Sequence, residues 1–189
     1  MMPDNSLSTE PVVADYLYPD NLVNSADRDY EMGGIAIEDA SQGLLYQPWT
    51  FWSTDGGPIY CGPLSGGSEM LIDVSGVTSV SGTFDRNMRP TVAYAIGDTG
   101  YLWWFDATVN AMTTTEFPGI SEIRVTHDDK RPTADFRSDV LVAYTRDGNL
   151  YYRQQRDRYT IERLLAENVV GQLRNMGMTT ALRVQFDIN

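Results

Sequence analysis

The chain has 189 residues, 42% hydrophobic and 11% aromatic, enough to bury a core in one domain with or without an added arm. Its formal net charge of −12 excludes wholesale attraction to nucleic-acid phosphate, which rests on a basic surface. A single cysteine, Cys61, excludes a disulfide framework and a cysteine zinc site, and no stretch reaches the roughly 18 apolar residues of a membrane span.

The sequence opens MMPDNSLSTEP, with neither a basic start nor an apolar run, so we expect no signal peptide. Residues 1–40 are polar and irregular. Pro3, Pro11 and Pro19 break any helix, and Gly33-Gly34 marks a turn. We read this segment as an extended N-terminal arm; its short apolar patches, VVADYLY and GIAI, would also serve as an N-terminal strand pair.

From residue 41 to 189 the pattern is short strands and tight turns. Three stretches look alike: WTFWSTDGGPIYCGPL (49–64), PTVAYAIGDTGYLWWFDA (90–107) and SDVLVAYTRDGNLYYRQQ (138–155). Each has an apolar or aromatic strand, a turn rich in Asp and Gly, and a second aromatic strand. Such Asp-Gly and Gly-Gly turns supply the positive φ angles of tight hairpins, and we take Asp55 and Gly57 in the first stretch and Asp147 and Gly148 in the third as structural turn residues. Val-Ala-Tyr recurs at 92–94 and 142–144. EMLIDVSGVTSVSGTF and ISEIRVTHDD lie between the hairpins and read as further strands. Repeats of this length point to stacked β units, and about three are too few to close a propeller. The expectation is an all-β fold: an antiparallel β-sandwich or an incomplete propeller-like stack of hairpin repeats, behind the arm.

Toward the end, RYTIERLLA suits a short helix or an extension of the last hairpin, and we read Tyr159 to Leu165 as strand. TTALRVQFDIN alternates Leu182, Val184, Phe186 and Ile188 on one face, as a strand does.

No catalytic constellation, cofactor motif or metal-ligand spacing emerges. HDDKR (127–131) holds the sole histidine, but two adjacent aspartates do not supply a calcium loop, and an exposed turn explains it. Cys61 reads as a small buried residue. STDGGPIY (53–60) resembles the Asp-box turn of sialidases and related propellers; the resemblance implies a structural role for Asp55, Gly57 and Tyr60 and supports a fold, not an activity. In YLWWFD, alternation puts Tyr101, Trp103 and Phe105 on one face and Leu102, Trp104 and Asp106 on the other. Both faces are buried if sheets stack on both sides. Were one exposed, Trp103 or Trp104 would be a protein-contact or sugar-stacking residue.

All basic residues but Lys130 are arginine, whose planar fork suits fixed ion pairs; a GC-rich genome would leave the same skew. Arg146, Arg153, Arg156, Arg158 and Arg163 crowd into residues 146–167 beside Asp147, Asp157 and Glu162. Carboxylates so close argue for a salt-bridge network at a sheet end or a subunit contact, not for a nucleic-acid strip. We take these five arginines, with Trp103 and Trp104, as candidate interface residues. Replacing Arg153 and Arg156 with alanine is expected to loosen assembly more than it weakens the monomer.

The phrases RDYEMGGIAIEDASQGLLYQPW (28–49), DDKR (128–131), SDVLVAYTRDGNLYYRQQRDRYTIERLLAE (138–167) and RVQF (183–186) resemble structural proteins of tailed bacteriophages. The resemblance implies a non-enzymatic virion component of the tail, neck or fibre apparatus. Such a protein assembles in the host cytoplasm through contacts with its own copies and other virion proteins. A carbohydrate-binding receptor module and a sialidase-like glycosidase fragment are the alternatives.

Overall fold

The computed structural model describes residues 32–37, 46–63, 67–85, 87, 89–128, 139–178 and 184–188. The described residues are all-β, with strands in antiparallel sheets. The first sheet is β1 (Met32–Ile37), β2 (Tyr46–Ser53), β3 (Ile59–Pro63) and β4 (Glu69–Ile72). The second is β5 (Val77–Phe84), β6 (Pro90–Ile96), β7 (Thr99–Asp106) and β8 (Ala111–Pro118). The third is β9 (Ile123–His127), β10 (Val140–Arg146), β11 (Asn149–Gln154) and β12 (Arg163–Ala166). A hairpin of β13 (Leu173–Met178) and β14 (Val184–Ile188) ends the described chain. Within every sheet, spatial order follows chain order.

The three look-alike stretches form the middle hairpin of each sheet: β2–β3, β6–β7 and β10–β11. Their turns obey the chemistry of their residues. Asp147 and Gly148 both hold positive φ, 52° and 73°, which a two-residue turn between Arg146 and Asn149 demands. In the first hairpin Asp55 and Gly56 do the same (φ 53° and 62°). There Gly57 N–H donates to Thr54 O at 2.9 Å and Ser53 Oγ donates to Gly57 O at 2.7 Å.

The sheets stack face on face. Phe51, Ile59 and Cys61 of the first sheet meet Val80, Phe84, Val92 and Tyr94 of the second. Ala93, Leu102, Trp104 and Phe117 on the other face of the second sheet meet Val125, Val142 and Tyr144 of the third. Leu141, Ala143 and Leu150 on the far face of the third sheet meet Leu173, Met176, Val184, Phe186 and Ile188 of the terminal hairpin. A fully buried aliphatic side chain in such a layer contributes about 1.5–3 kcal/mol. Contact between the first two sheets is close enough that a Cβ on Gly82 would lie 2.2 Å from the Phe51 ring.

The first strands of successive sheets, β1, β5, β9 and β13, run beside one another, and side chains tie β5 to β9 and β9 to β13. Ser81 Oγ on β5 accepts from Val125 N–H on β9 at 3.0 Å and donates to Val125 O at 3.4 Å. Arg124 on β9 reaches Ser79 on β5 and donates from Nε to Arg174 O on β13 at 2.8 Å. Its charge is met by Glu122 at 2.9 Å.

The all-β expectation holds, as does the strand reading of the last alternating segment from Val184 on. Two readings need correction. The expected strand over Tyr159 to Leu165 shrinks to β12, Arg163–Ala166. Before it, Gln155–Asp157 make a 3-10 turn, and Arg158 and Tyr159 both adopt left-handed φ (52° and 55°). Trp104 is a core residue, 4% exposed, its indole N–H donating to Thr115 Oγ1 at 3.1 Å. It is covered because the second sheet has a sheet on each side, which bears out burial of both faces of YLWWFD and takes Trp104 off the candidate interface residues. Of the segment 1–40, residues 1–31 and 38–40 lie outside the described residues, and Met32–Ile37 pairs with β2 as β1.

Candidate functional site

The arginine-rich strip folds along β10, β11, the 3-10 turn and β12, and all five of its arginines meet carboxylates within this chain. Arg146 and Arg153 converge on Glu162, at 2.6 Å and 3.2 Å. Tyr144 stands between them: its hydroxyl donates to Glu162 at 2.5 Å and accepts from Arg153 Nε at 2.8 Å. Arg153 also donates to Tyr159 O at 3.0 Å and lies over the Phe117 ring of the second sheet, 4.9 Å from its centroid. Burial pushes the Glu162 carboxyl up, but hydrogen bonds from Tyr144, Arg146 and Arg153 outweigh it, and its pKa is lowered. Burial and the bond to Glu162 hold the Tyr144 phenol well above its ordinary range.

A second group lies where β9 leaves for β10. Asp139, nearly fully buried, accepts from Arg156 N–H at 3.0 Å and is ion-paired with the Arg156 guanidinium, which also meets Asp128 at 3.3 Å. Asp128 and Asp139 close the same connection: Asp128 N–H donates to Asp139 O at 2.8 Å, and Asp139 N–H to Asp128 Oδ1 at 2.6 Å. Burial is the leading cause that raises the Asp128 pKa. Of HDDKR, then, His127 ends β9 and Asp128 is a partly buried closing residue; 129–131 lie outside the described residues.

Arg158 reaches Asp106 of the second sheet at 2.5 Å. Asp106 is buried and also accepts from Thr108 N–H at 2.8 Å and Thr108 Oγ1 at 2.7 Å. The Arg158 hydrogen bond is the main reason its pKa is lowered. Arg163 pairs with Asp157 at 2.5 Å as an ion pair without hydrogen-bond alignment at that oxygen. Local partners were legible for Arg146, Arg153 and Arg163, since Asp157 and Glu162 stand near them in sequence. Asp106, Asp128 and Asp139 were missed. Their signal is an aspartate placed where a strand ends or begins, repeated at Asp85, which accepts from Asn87 N–H at 2.7 Å and Arg89 N–H at 3.0 Å.

The group is chemically saturated. A phenol beside a carboxylate and two guanidinium groups invites a catalytic reading, but Tyr144 is 0% exposed, and its hydroxyl already donates and accepts. Trp103 packs against the apolar layer between the first two sheets. Asp55, Asp147 and Gly148 hold positive-φ turn positions; Gly57 does not, the glycine at positive φ in the first hairpin being Gly56, and Gly57 closes that turn through its N–H. Among the described residues no cluster of three or more His, Cys, Asp or Glu is arranged to hold a metal ion, and no helix is long and apolar enough to cross a membrane.

The strip is paired but not hidden, since the Arg156 and Arg158 side chains stay about half exposed, and it also presents apolar groups. Leu164 and Leu165 on β12, the outer strand of its sheet, are 50% and 44% exposed, and Ile161 and Val170 beside it are also exposed. No family model, curated protein or solved structure matches this chain.

Proposed function

We propose that this chain is a non-enzymatic structural component of a tailed-phage virion, acting through protein–protein contacts with its own copies and with other virion proteins. The observation that carries the contact role is the outer strand β12. It sets Leu164 and Leu165 in solvent on a strand with one unpaired edge among the described residues, and Ile161 and Val170 extend the apolar surface. Exposed apolar edge strands pair with other chains unless guarded by charge, proline or a covering element. Arg163, the one charge within β12, is drawn back to Asp157. The placement in a phage particle comes from the sequence resemblance.

Mass spectrometry of purified particles from cells producing the chain tests this reading. A fixed copy number of the chain per particle is expected, falling sharply for the double variant Leu164→Glu/Leu165→Glu, whose fold should persist because both positions are half exposed. Absence of the chain from particles removes the virion reading; undiminished incorporation of the variant removes β12 as the contact.

A further inference from the structure

Each four-stranded sheet carries an aromatic pair on its two middle strands. Trp52 opposes Tyr60, Tyr94 opposes Tyr101, and Tyr144 opposes Tyr151. All three pairs are stacked, with ring centroids 6.0, 5.1 and 6.1 Å apart. The second and third pairs face the preceding sheet. Tyr94 packs with Phe51 and Ile59 of the first sheet, and Tyr144 with Leu102 and Phe117 of the second. Trp52 and Tyr60 alternate with Phe51, Ile59 and Cys61, which face the second sheet. They therefore point the opposite way, where no sheet precedes the first among the described residues. Exposure follows: Tyr94 and Tyr144 are buried, Trp52 is only half-buried, and neither Trp52 nor Tyr60 joins any of the three apolar layers.

We propose that a second copy of this chain covers the Trp52–Tyr60 face, first sheet against first sheet. The chain itself shows what covers such a pair: the apolar face of a sheet of its own build. The far face of the β13–β14 hairpin does not fit, because Arg174, Gln185 and Asp187 are exposed on it. The first sheet's own outward face does. The half-buried Trp52 and Tyr60 and the exposed Met70, which pairs with Tyr60, form an uncharged row. On a chain of net charge −12, copies repel least where such a row meets its equal. Self-complementary pairing of one patch about a two-fold axis is also the commonest oligomer geometry.

The proposal rests on the self-association part of the reading above, and the two fail separately. Sedimentation equilibrium of the full chain across a concentration series is expected to give a dimer of 21.2 kDa chains. Tyr60→Glu and Met70→Glu should each raise its dissociation constant at least about tenfold, and circular dichroism should show both still folded. Leu164→Glu/Leu165→Glu should leave the dimer unchanged while blocking particle incorporation. A wild-type chain that stays monomeric overturns the proposal, as does a dimer indifferent to Tyr60→Glu and Met70→Glu. Either result leaves the β12 contact standing. A dimer lost only in the Leu164→Glu/Leu165→Glu variant assigns self-association to β12 and likewise overturns the proposal.

Discussion

Arg158 and Asp106 sit 52 positions apart in sequence, yet their side chains meet at 2.5 Å and bind the third sheet to the second. The carboxylate is buried and the guanidinium half exposed, so the pair lies at the rim of the layer between the sheets.

Acid should weaken this joint. The Asp106 pKa is lowered from its ordinary 3.8, so its stabilisation is present above that value and lost as pH falls through the lower, folded one. Urea midpoints measured from neutral pH downward should fall on acidification for the wild type. Asp106→Asn should be less stable at neutral pH and show a shallower acid loss. An equal acid slope in both proteins would reject the assignment.

Arg153 should matter to the monomer. Its guanidinium bonds Tyr144, Tyr159 O and Glu162, so Arg153→Ala should cost roughly 1.5–3 kcal/mol in urea unfolding. This reverses the balance anticipated from sequence, where the loss was placed in assembly. Arg156→Ala should also lower monomer stability, since it strips the buried Asp139 of its guanidinium partner. Stability unchanged in both variants, with assembly lost, would restore the sequence-based view.

Gly82 is present for lack of space. Gly82→Ala brings a Cβ against the Phe51 ring and should cost about 1–3 kcal/mol. Combined with Phe51→Leu, the penalty should be less than the sum of the two single changes, as expected for residues in contact. Strict additivity in chemical denaturation would contradict the packing.

Gly148 is present for its backbone angle. It holds φ 73° with open space around its Cα, so Gly148→Ala should cost about 1–2 kcal/mol through conformation alone. Asp147→Gly in the same turn should be neutral or slightly stabilising. Thermal melts of the two variants should therefore shift in different directions or by clearly unequal amounts.

Cys61 should be inert. Burial, with help from Glu69, pushes its thiol up to about 11, far from the thiolate form at neutral pH. Ellman's reagent at pH 8 should find no reactive thiol in the native chain and one after denaturation. Rapid native labelling would show that the thiol is accessible.

Much of this architecture was legible because its signals are local. Asp147-Gly148 imposes its turn on its neighbours, and alternation through Tyr101 to Asp106 says that both faces of β7 need cover. The bend at Arg158 and Tyr159 was not legible. It is held by Asp139, 17 positions before Arg156, and by Asp106 on another sheet. No window of sequence around RYTIERLLA contains those partners, so the run read as one strand. The arginines were read correctly as paired, but the carboxylates that take Arg156 and Arg158 lie outside their own hairpin.

The sequential strand order has a consequence for how the chain is made. Each four-stranded sheet closes on residues that leave the ribosome together, so β1 to β4 can pair before β9 exists. Contacts between neighbours in sequence also form fast, since little loop entropy opposes them. The ties across sheets then form in order of synthesis: Ser81 must wait for Val125, Asp106 for Arg158, and Arg124 for Arg174. The β13–β14 hairpin arrives last among the described elements and caps the third sheet. A nascent chain arrested before residue 173 should already hold two packed layers and leave Leu141, Ala143 and Leu150 in water.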